Sequence, residues 1–282
     1  MDFLALLSRT PDMYRKFLLS SYGVDVEKMV FNVEDWKNRS INLPQISEQK
    51  IISDFFNYLD NLLKLNEKKY QKTFQLRSGM LNSIFPNTNN LTPCLRLNGY
   101  SDKWLELNLE SCFYERNERS GIGELISVTI NSGVKKASSI KRRDSSSNDK
   151  SNYKKVEVND IAYNSMRMWQ GASGVSNYSG ILSPAYTVIT PKENISSLFF
   201  SYYFKLPHML YVFQKNSQGL TSDTWNLKFP MLKKIEVLVP SFEEQQAIGE
   251  FFKQIDITLD LQAQKIEKLK NLKTALLEKM FV

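Results

Sequence analysis

The chain has 282 residues, roughly two domains' worth at about 100–200 residues each, and its 42% hydrophobic and 12% aromatic content excludes wholesale disorder. Lys and Arg (37) exceed Asp and Glu (30), and the net charge of +7 suits a polyanionic partner. No run reaches the roughly 18–20 apolar residues of a membrane span, Asp2 and the lack of a small-residue cleavage site argue against a signal peptide, and Cys94 and Cys112 cannot form a disulfide framework or a four-ligand zinc site. The chain reads as soluble and cytoplasmic, with no membrane partner.

Residues 1–46 carry an apolar set (Phe3, Leu4, Leu6, Leu7, Phe17, Leu18) and the strand-like run INLP, which stops at Pro44. Residues 47–86 read as a long helix with Ser47 as N-cap and a heptad seam of Ile52, Phe56, Leu59, Leu63, Asn66 and Tyr70. Residues 87–97, including NTNNLTP, read as a linker. Residues 98–240 alternate β-rich runs (ELISVTINSGV, KKVEVNDIAYNSM, GILSPAYTVITP, KKIEVLVP) with turn residues, which predicts a twisted, mixed β-sheet. One helix is expected within them, over Leu198–Lys215, and the basic, serine-rich IKRRDSSSNDKSNYKK reads as an exposed loop. Residues 241–282 predict a second long helix, with Ser241 and Glu244 at its start and a seam of Ile248, Phe252, Ile255, Leu259, Gln262, Ile266 and Leu269.

The chain repeats itself. Pro11 is matched 196 positions on by Pro207, and the same spacing carries Met13 to Met209, Phe17 to Phe213, Gly23 to Gly219, Pro44 to Pro240, Gln49 to Gln245, Phe56 to Phe252 and Phe85 to Phe281. An ungapped offset over residues 3–85 and 199–281 marks a duplication whose first copy lacks the front of the second. Matched heptads predict that the two helices pack on each other, with Asn66 near the equivalent Gln262.

Sites for chemistry are scarce. The single histidine, His208, lies in FKLPHMLYVF and reads as a packed or half-exposed helix residue, which leaves no His-based triad or metal site. No GxxxxGK[ST] loop is present, and SGIGE (Ser120–Glu124) is too poor in glycine for a nucleotide cofactor, so no cofactor is expected. Asp12 with Asp35 and Lys37 make a weak magnesium-nuclease pattern, and Glu243 and Glu244 read as helix-start acids. The chain reads as a binder, not an enzyme.

A β-rich domain followed by a helix opening PSFEEQQAIGEFFKQIDITLDLQAQKIEKLKNLKTALLEKMF resembles the DNA-specificity (S) subunit of type I restriction–modification enzymes. PQISEQKIISDFFNYLDNLL in the first copy, LRLNGYSDKWLELNLESCF, SVTINSGV, DIAYNSMRMWQGASG and NSQGLTSDTWN carry the same stamp. The resemblance implies an α+β target-recognition domain at 98–240, two spacer helices (47–86 and 241–282) paired as an antiparallel coiled coil, and a remnant of a first recognition domain at 1–46. It implies double-stranded DNA, methyltransferase (M) subunits and a restriction (R) subunit as partners, and a second S-type chain where a fragment restores two domains by pairing. The remnant's apolar face is expected to lack a core.

Phosphate contacts call for Lys, Arg and hydroxyls, base contacts for Arg, Asn and Gln on loops. Lys135, Lys136, Lys141, Arg142 and Arg143 form the densest basic run; Asn164, Ser165, Arg167, Trp169 and Gln170 combine a donor fork, amides and an aromatic; Ser217, Gln218, Thr221, Ser222 and Thr224 form a hydroxyl-rich loop. Met166, Met168 and Trp225 are expected in the core.

Overall fold

A computed structural model describes residues 2–23, 25–86, 92–140 and 146–281. The chain divides into two compact units, residues 1–75 with 256–282, and residues 76–255. The architecture is α+β.

In the first unit, α1 (Phe3–Leu7) is capped by Asp2, whose carboxylate accepts from the Ala5 amide at 2.8 Å. Thr10 caps α2 (Pro11–Leu19), and Pro11 occupies the first turn, where a missing N–H costs nothing. The two-residue strands β1 (Ser21–Tyr22) and β2 (Val30–Phe31) pair antiparallel, and Asn32 caps α3 (Val33–Lys37). The 39-residue α4 (Ile46–Ile84) is about 58 Å long at 1.5 Å per residue. Phe3, Leu6, Leu7 and Met13 bury against Ile52, Phe56 and Leu59 of α4, with Leu276, Leu277 and Phe281 packed around them. The N-terminal apolar residues therefore have a core, contrary to expectation: the helix pair supplies it. INLP forms no strand, and α4 starts one residue ahead of Ser47.

The second unit opens with β3 (Leu105–Asn108), α5 (Leu109–Cys112), β4 (Phe113–Glu115), β5 (Ile126–Thr129), β6 (Gly133–Lys136) and β7 (Lys154–Val156). It continues through β8 (Ile161–Asn164), β9 (Ser173–Val175), β10 (Gly180–Leu182), β11 (Tyr186–Pro191), α6 (Ser197–Tyr203), α7 (Pro207–Asn216), α8 (Phe229–Leu232) and β12 (Glu236–Val239) to α9 (Phe242–Met280). A four-stranded sheet, β4-β11-β8-β9, is flanked by the pairs β10-β7, β12-β3 and β5-β6. All these pairings are antiparallel; the parallel component among the described residues is the Leu125–Ile181 bridge. The helix expected over Leu198–Lys215 is two helices, because Pro207 has no N–H to continue α6 and starts α7 instead. Behind the sheet lies an aromatic core in which Phe199, Phe200, Phe204 and Phe213 meet Phe85, Phe113, Ile248 and Phe252. Asp160 is buried and satisfied at once by Arg116 (2.7 and 3.1 Å), Thr190 (2.8 Å) and the Glu157 amide (2.8 Å).

The sequence repeat is a structural repeat. Helices α1, α2 and α3 correspond in position to α6, α7 and α8, and the Tyr22–Val30 pair of the β1–β2 ribbon has its counterpart in the Gln218–Asn226 bridge. Gly23 (φ +154°) and Gly219 (φ +140°) turn both ribbons, and a Cβ at either would meet the equivalent carbonyls of Lys28 at 3.0 Å and Thr224 at 2.6 Å. Gln49 and Gln245 each turn back to donate to the carbonyl of Pro44 (2.8 Å) or Pro240 (3.0 Å). Ring pairs repeat as well: Phe3–Phe281 and Phe85–Phe199 both lie at 5.3 Å.

In the first unit the helices run antiparallel. Lys273 pairs with Asp60, Lys270 reaches Glu67 at 3.0 Å, and Gln262 donates to Thr73 at 3.4 Å. The expected register is corrected: Gln262 meets the residue seven positions beyond Asn66, while Asn66 is buried and donates to the Leu62 carbonyl of its own helix at 2.7 Å. A polar side chain that back-bonds within its helix needs no partner across the seam. No described helix is long and apolar enough to cross a membrane.

Candidate nucleic-acid interface

The turn between β8 and β9 is set by local hydrogen bonds. Asn164 Oδ1 accepts from the Met166 amide at 3.0 Å, and the Arg167 carbonyl accepts from the Gln170 and Ala172 amides at 3.0 and 3.1 Å. Met168 is driven into the core, and Trp169 donates its indole N–H to the Met166 carbonyl at 3.1 Å. Arg167 and Gln170 are left half-exposed between these anchors. The Arg167 guanidinium meets no hydrogen-bond or ion-pair partner among the described residues.

A second loop lies against this one. Beyond α7, whose last turn is held by Ser217 donating to the Phe213 carbonyl at 2.7 Å, residues 218–226 form a closed ribbon. Within it the Thr224 amide donates to the Thr221 carbonyl at 2.9 Å, and the Thr221 amide to the Thr224 hydroxyl at 3.1 Å. Gln218, Leu220, Thr221, Ser222 and Thr224 are exposed. Trp169 and Trp225 meet edge to face at 5.2 Å, and the Leu227 amide donates to the Ser165 carbonyl at 2.8 Å. Two of the three expected segments thus form one continuous surface.

The β5–β6 hairpin adjoins this surface at its tip. Gly174 of β9 approaches it so closely that a Cβ would meet Gly133 and Val134 backbone atoms at 3.0 Å. Lys135 is exposed in β6, and Lys136 sits 3.5 Å from Glu124 with its ammonium 5.5 Å from the Tyr178 ring centroid. Arg142 and Arg143, with Lys141, lie outside the described residues.

Two expectations change. Ser165 is 4% exposed and shares a 2.8 Å hydrogen bond with Thr187, so its hydroxyl faces the sheet and not a ligand. Met166 is exposed, because the Asx turn at Asn164 carries it outward. Lys215, with its ammonium 4.6 Å from the Tyr211 ring, adds a cation next to the second loop that the sequence reading missed. Its i,i+4 aromatic–basic spacing at a helix end was the available signal.

Burial pushes the Cys112 thiol up to about 12, so it does not ionise near neutrality. His208 lies half-buried on α7 against Tyr203, and burial holds it below the ordinary imidazole range. Asp12 is paired with Lys16 at 2.9 Å and Asp35 with Arg39 at 2.9 Å, and no His/Cys/Asp/Glu cluster among the described residues could hold a metal. Glu244 lies in the first turn of α9, as expected, and is buried there, where Arg96 clamps both its oxygens at 2.8 and 2.6 Å.

A family model described as the type I restriction modification DNA specificity domain matches residues 124–271. The crystal structure of the HsdS subunit from Thermoanaerobacter tengcongensis is 17% identical, with a TM-score of 0.55 over 99% of this chain and 69% of that one. The type I restriction-modification S subunit from M. genitalium is 16% identical, with a TM-score of 0.57 over 99% and 72%. A chain from a study of complex assembly and conformational transition in the type I R-M system gives 17% and 0.54 over 99% and 70%. At such identities these structures speak to the fold.

Proposed function

The chain belongs to the type I restriction–modification DNA specificity family, and from that premise we propose that it is a non-catalytic subunit that reads double-stranded DNA and directs methyltransferase subunits to the sites it reads. A restriction subunit joins through the same assembly. Residues 98–240 act as the recognition domain, 47–86 and 241–282 as spacer helices, 87–97 as a linker, and 1–46 as the remnant of a first recognition domain. The assembly works in the cytoplasm.

The observation that best supports DNA reading is the loop pair joined by Trp169 and Trp225. It presents the Arg167 guanidinium, an amide (Gln170) and exposed hydroxyls (Thr221, Ser222) on adjoining loops. Guanidinium and amide forks match the acceptor and donor edges of guanine and adenine. Gln218, Ser217, Asn164 and Lys215 flank these groups, and Lys135, Lys136, Arg142 and Arg143 serve phosphates. Ser165 supports the loop from beneath.

Selection from a pool of randomised duplexes by the purified chain tests this. Enrichment of one sequence motif is expected. Retention of the whole pool without enrichment would leave a phosphate-binding assembly module, the competing reading from a different class.

A further inference from the structure

Leu220, near the tip of the 218–226 ribbon, is 101% exposed, the most of any large apolar side chain among the described residues. A lone apolar residue on a surface is ordinary; the setting of this one sets it apart. The neck of the ribbon is shut. Gln218 and Asn226 exchange backbone hydrogen bonds at 3.0 and 2.8 Å, and Gly219 lies so close to Thr224 that a Cβ there would meet its carbonyl oxygen at 2.6 Å. Hydrogen bonds between Thr221 and Thr224 close the tip, and at the base Trp225 packs on Trp169 of the neighbouring loop. The backbone thus holds Leu220 out in water, where it forgoes the stabilisation that burial of a leucine brings.

Charge indicates what the tip can meet. Residues 218–226 contain no Lys or Arg and one carboxylate, the exposed Asp223, so the tip is poorly suited to phosphates. The cations stand at its two feet: Lys215 in the last turn of α7 and Lys228 at the start of α8, both exposed. Cations on both flanks suit two phosphate backbones with the tip between them, and the major groove is wide enough to admit a two-stranded ribbon. The apolar group that the major groove presents at its base edges is the thymine C5 methyl. We propose that the 218–226 ribbon enters the major groove and that Leu220 reads a thymine through this methyl group. The proposal rests on the reading of the chain as a DNA-recognition subunit. It adds an apolar reader to the hydrogen-bonding ones, Arg167 and Gln170.

Selection from randomised duplexes, run in parallel with the full-length wild type and Leu220→Ala, tests this. Because Leu220 is fully exposed, the two proteins should melt at the same temperature. The wild-type motif should contain a T·A position at which the Leu220→Ala profile is degenerate, with the other positions retained. Replacing that thymine by uracil in the selected duplex removes only the methyl group. It should weaken wild-type binding about four-fold, which is what burial of one methyl supplies, while Leu220→Ala binds both duplexes alike. An unchanged motif for Leu220→Ala, or a wild type indifferent to uracil at every thymine of its motif, would overturn the proposal and leave DNA reading by the loop pair standing. An unchanged motif joined to weaker capture of methyltransferase subunits would overturn it as well, and would assign the tip to a protein contact. A wild type that enriches no motif would overturn both readings together.

Discussion

Arg167 and Lys135 make opposite predictions although both are cations. Arg167 stands half-exposed on a loop braced by backbone hydrogen bonds from the Arg167, Gln170 and Ala172 amides. Replacing it with alanine should erode discrimination between bases by about 1–3 kcal/mol if it spans a guanine edge, with little change in binding to random DNA. Lys135 and Lys136 lie in a strand, where a point charge serves any phosphate. Neutralising both should weaken binding to all duplexes alike and reduce the salt slope by about 0.9 for each phosphate left without its cation. Competition binding at several salt concentrations separates the two, and matching sequence profiles for wild type and Arg167→Ala would remove that residue from the readout. His208 gives a stability test. Its folded-state pKa lies below the 6.5 of a free imidazole, because burial disfavours the charge. The unfolded chain therefore binds the proton first, so stability is fully present above pH 6.5 and declines as pH falls below it. Denaturant titrations of wild type and His208→Gln between pH 5 and 8 should differ in slope only on the acid side (roughly the imidazole range). The sequence made the composition of these loops legible but not the direction of each side chain. Ser165 and Met166 are neighbours, and the turn at Asn164 buries the one judged to be a reader and exposes the one judged to be core.

At the level of elements, the two long helices and the duplication were legible because both are written in short-range spacing: a heptad within each helix and a constant offset between copies. Register was not, because it depends on how two surfaces settle. Sliding one heptad keeps apolar residues on the seam, and the polar positions then decide. The settled register places Gln262 at Thr73 and Lys273 at Asp60. Cysteines introduced at 73 and 262 should therefore cross-link readily under mild oxidation, whereas a pair at 66 and 262 should not. Efficient linking of 66 to 262 in folded protein would contradict the observed register. Other misread elements share a cause. INLP has the composition of a strand but no partner strand among the described residues, and Pro207 divides what helical periodicity alone presents as continuous. Strand pairing and proline chemistry override local propensity in both.

For the whole molecule, the family and the α+β architecture follow from motifs spread along the chain, and the structure adds the comparison between the two copies. Both keep the distal helices, the glycine-turned ribbon and the long helix, and one of them also carries the β-rich segment with the loop pair. The central claim is that the chain supplies sequence recognition to enzymes that cannot choose sites themselves. Its most direct test is a genome-wide map of methylated sites in cells expressing the cognate methyltransferase subunits with and without this chain. The account predicts methylation confined to one sequence motif, absent when the chain is omitted and relaxed at a single motif position by Arg167→Ala. Methylation that persists without the chain, or that follows no motif when it is present, would contradict it.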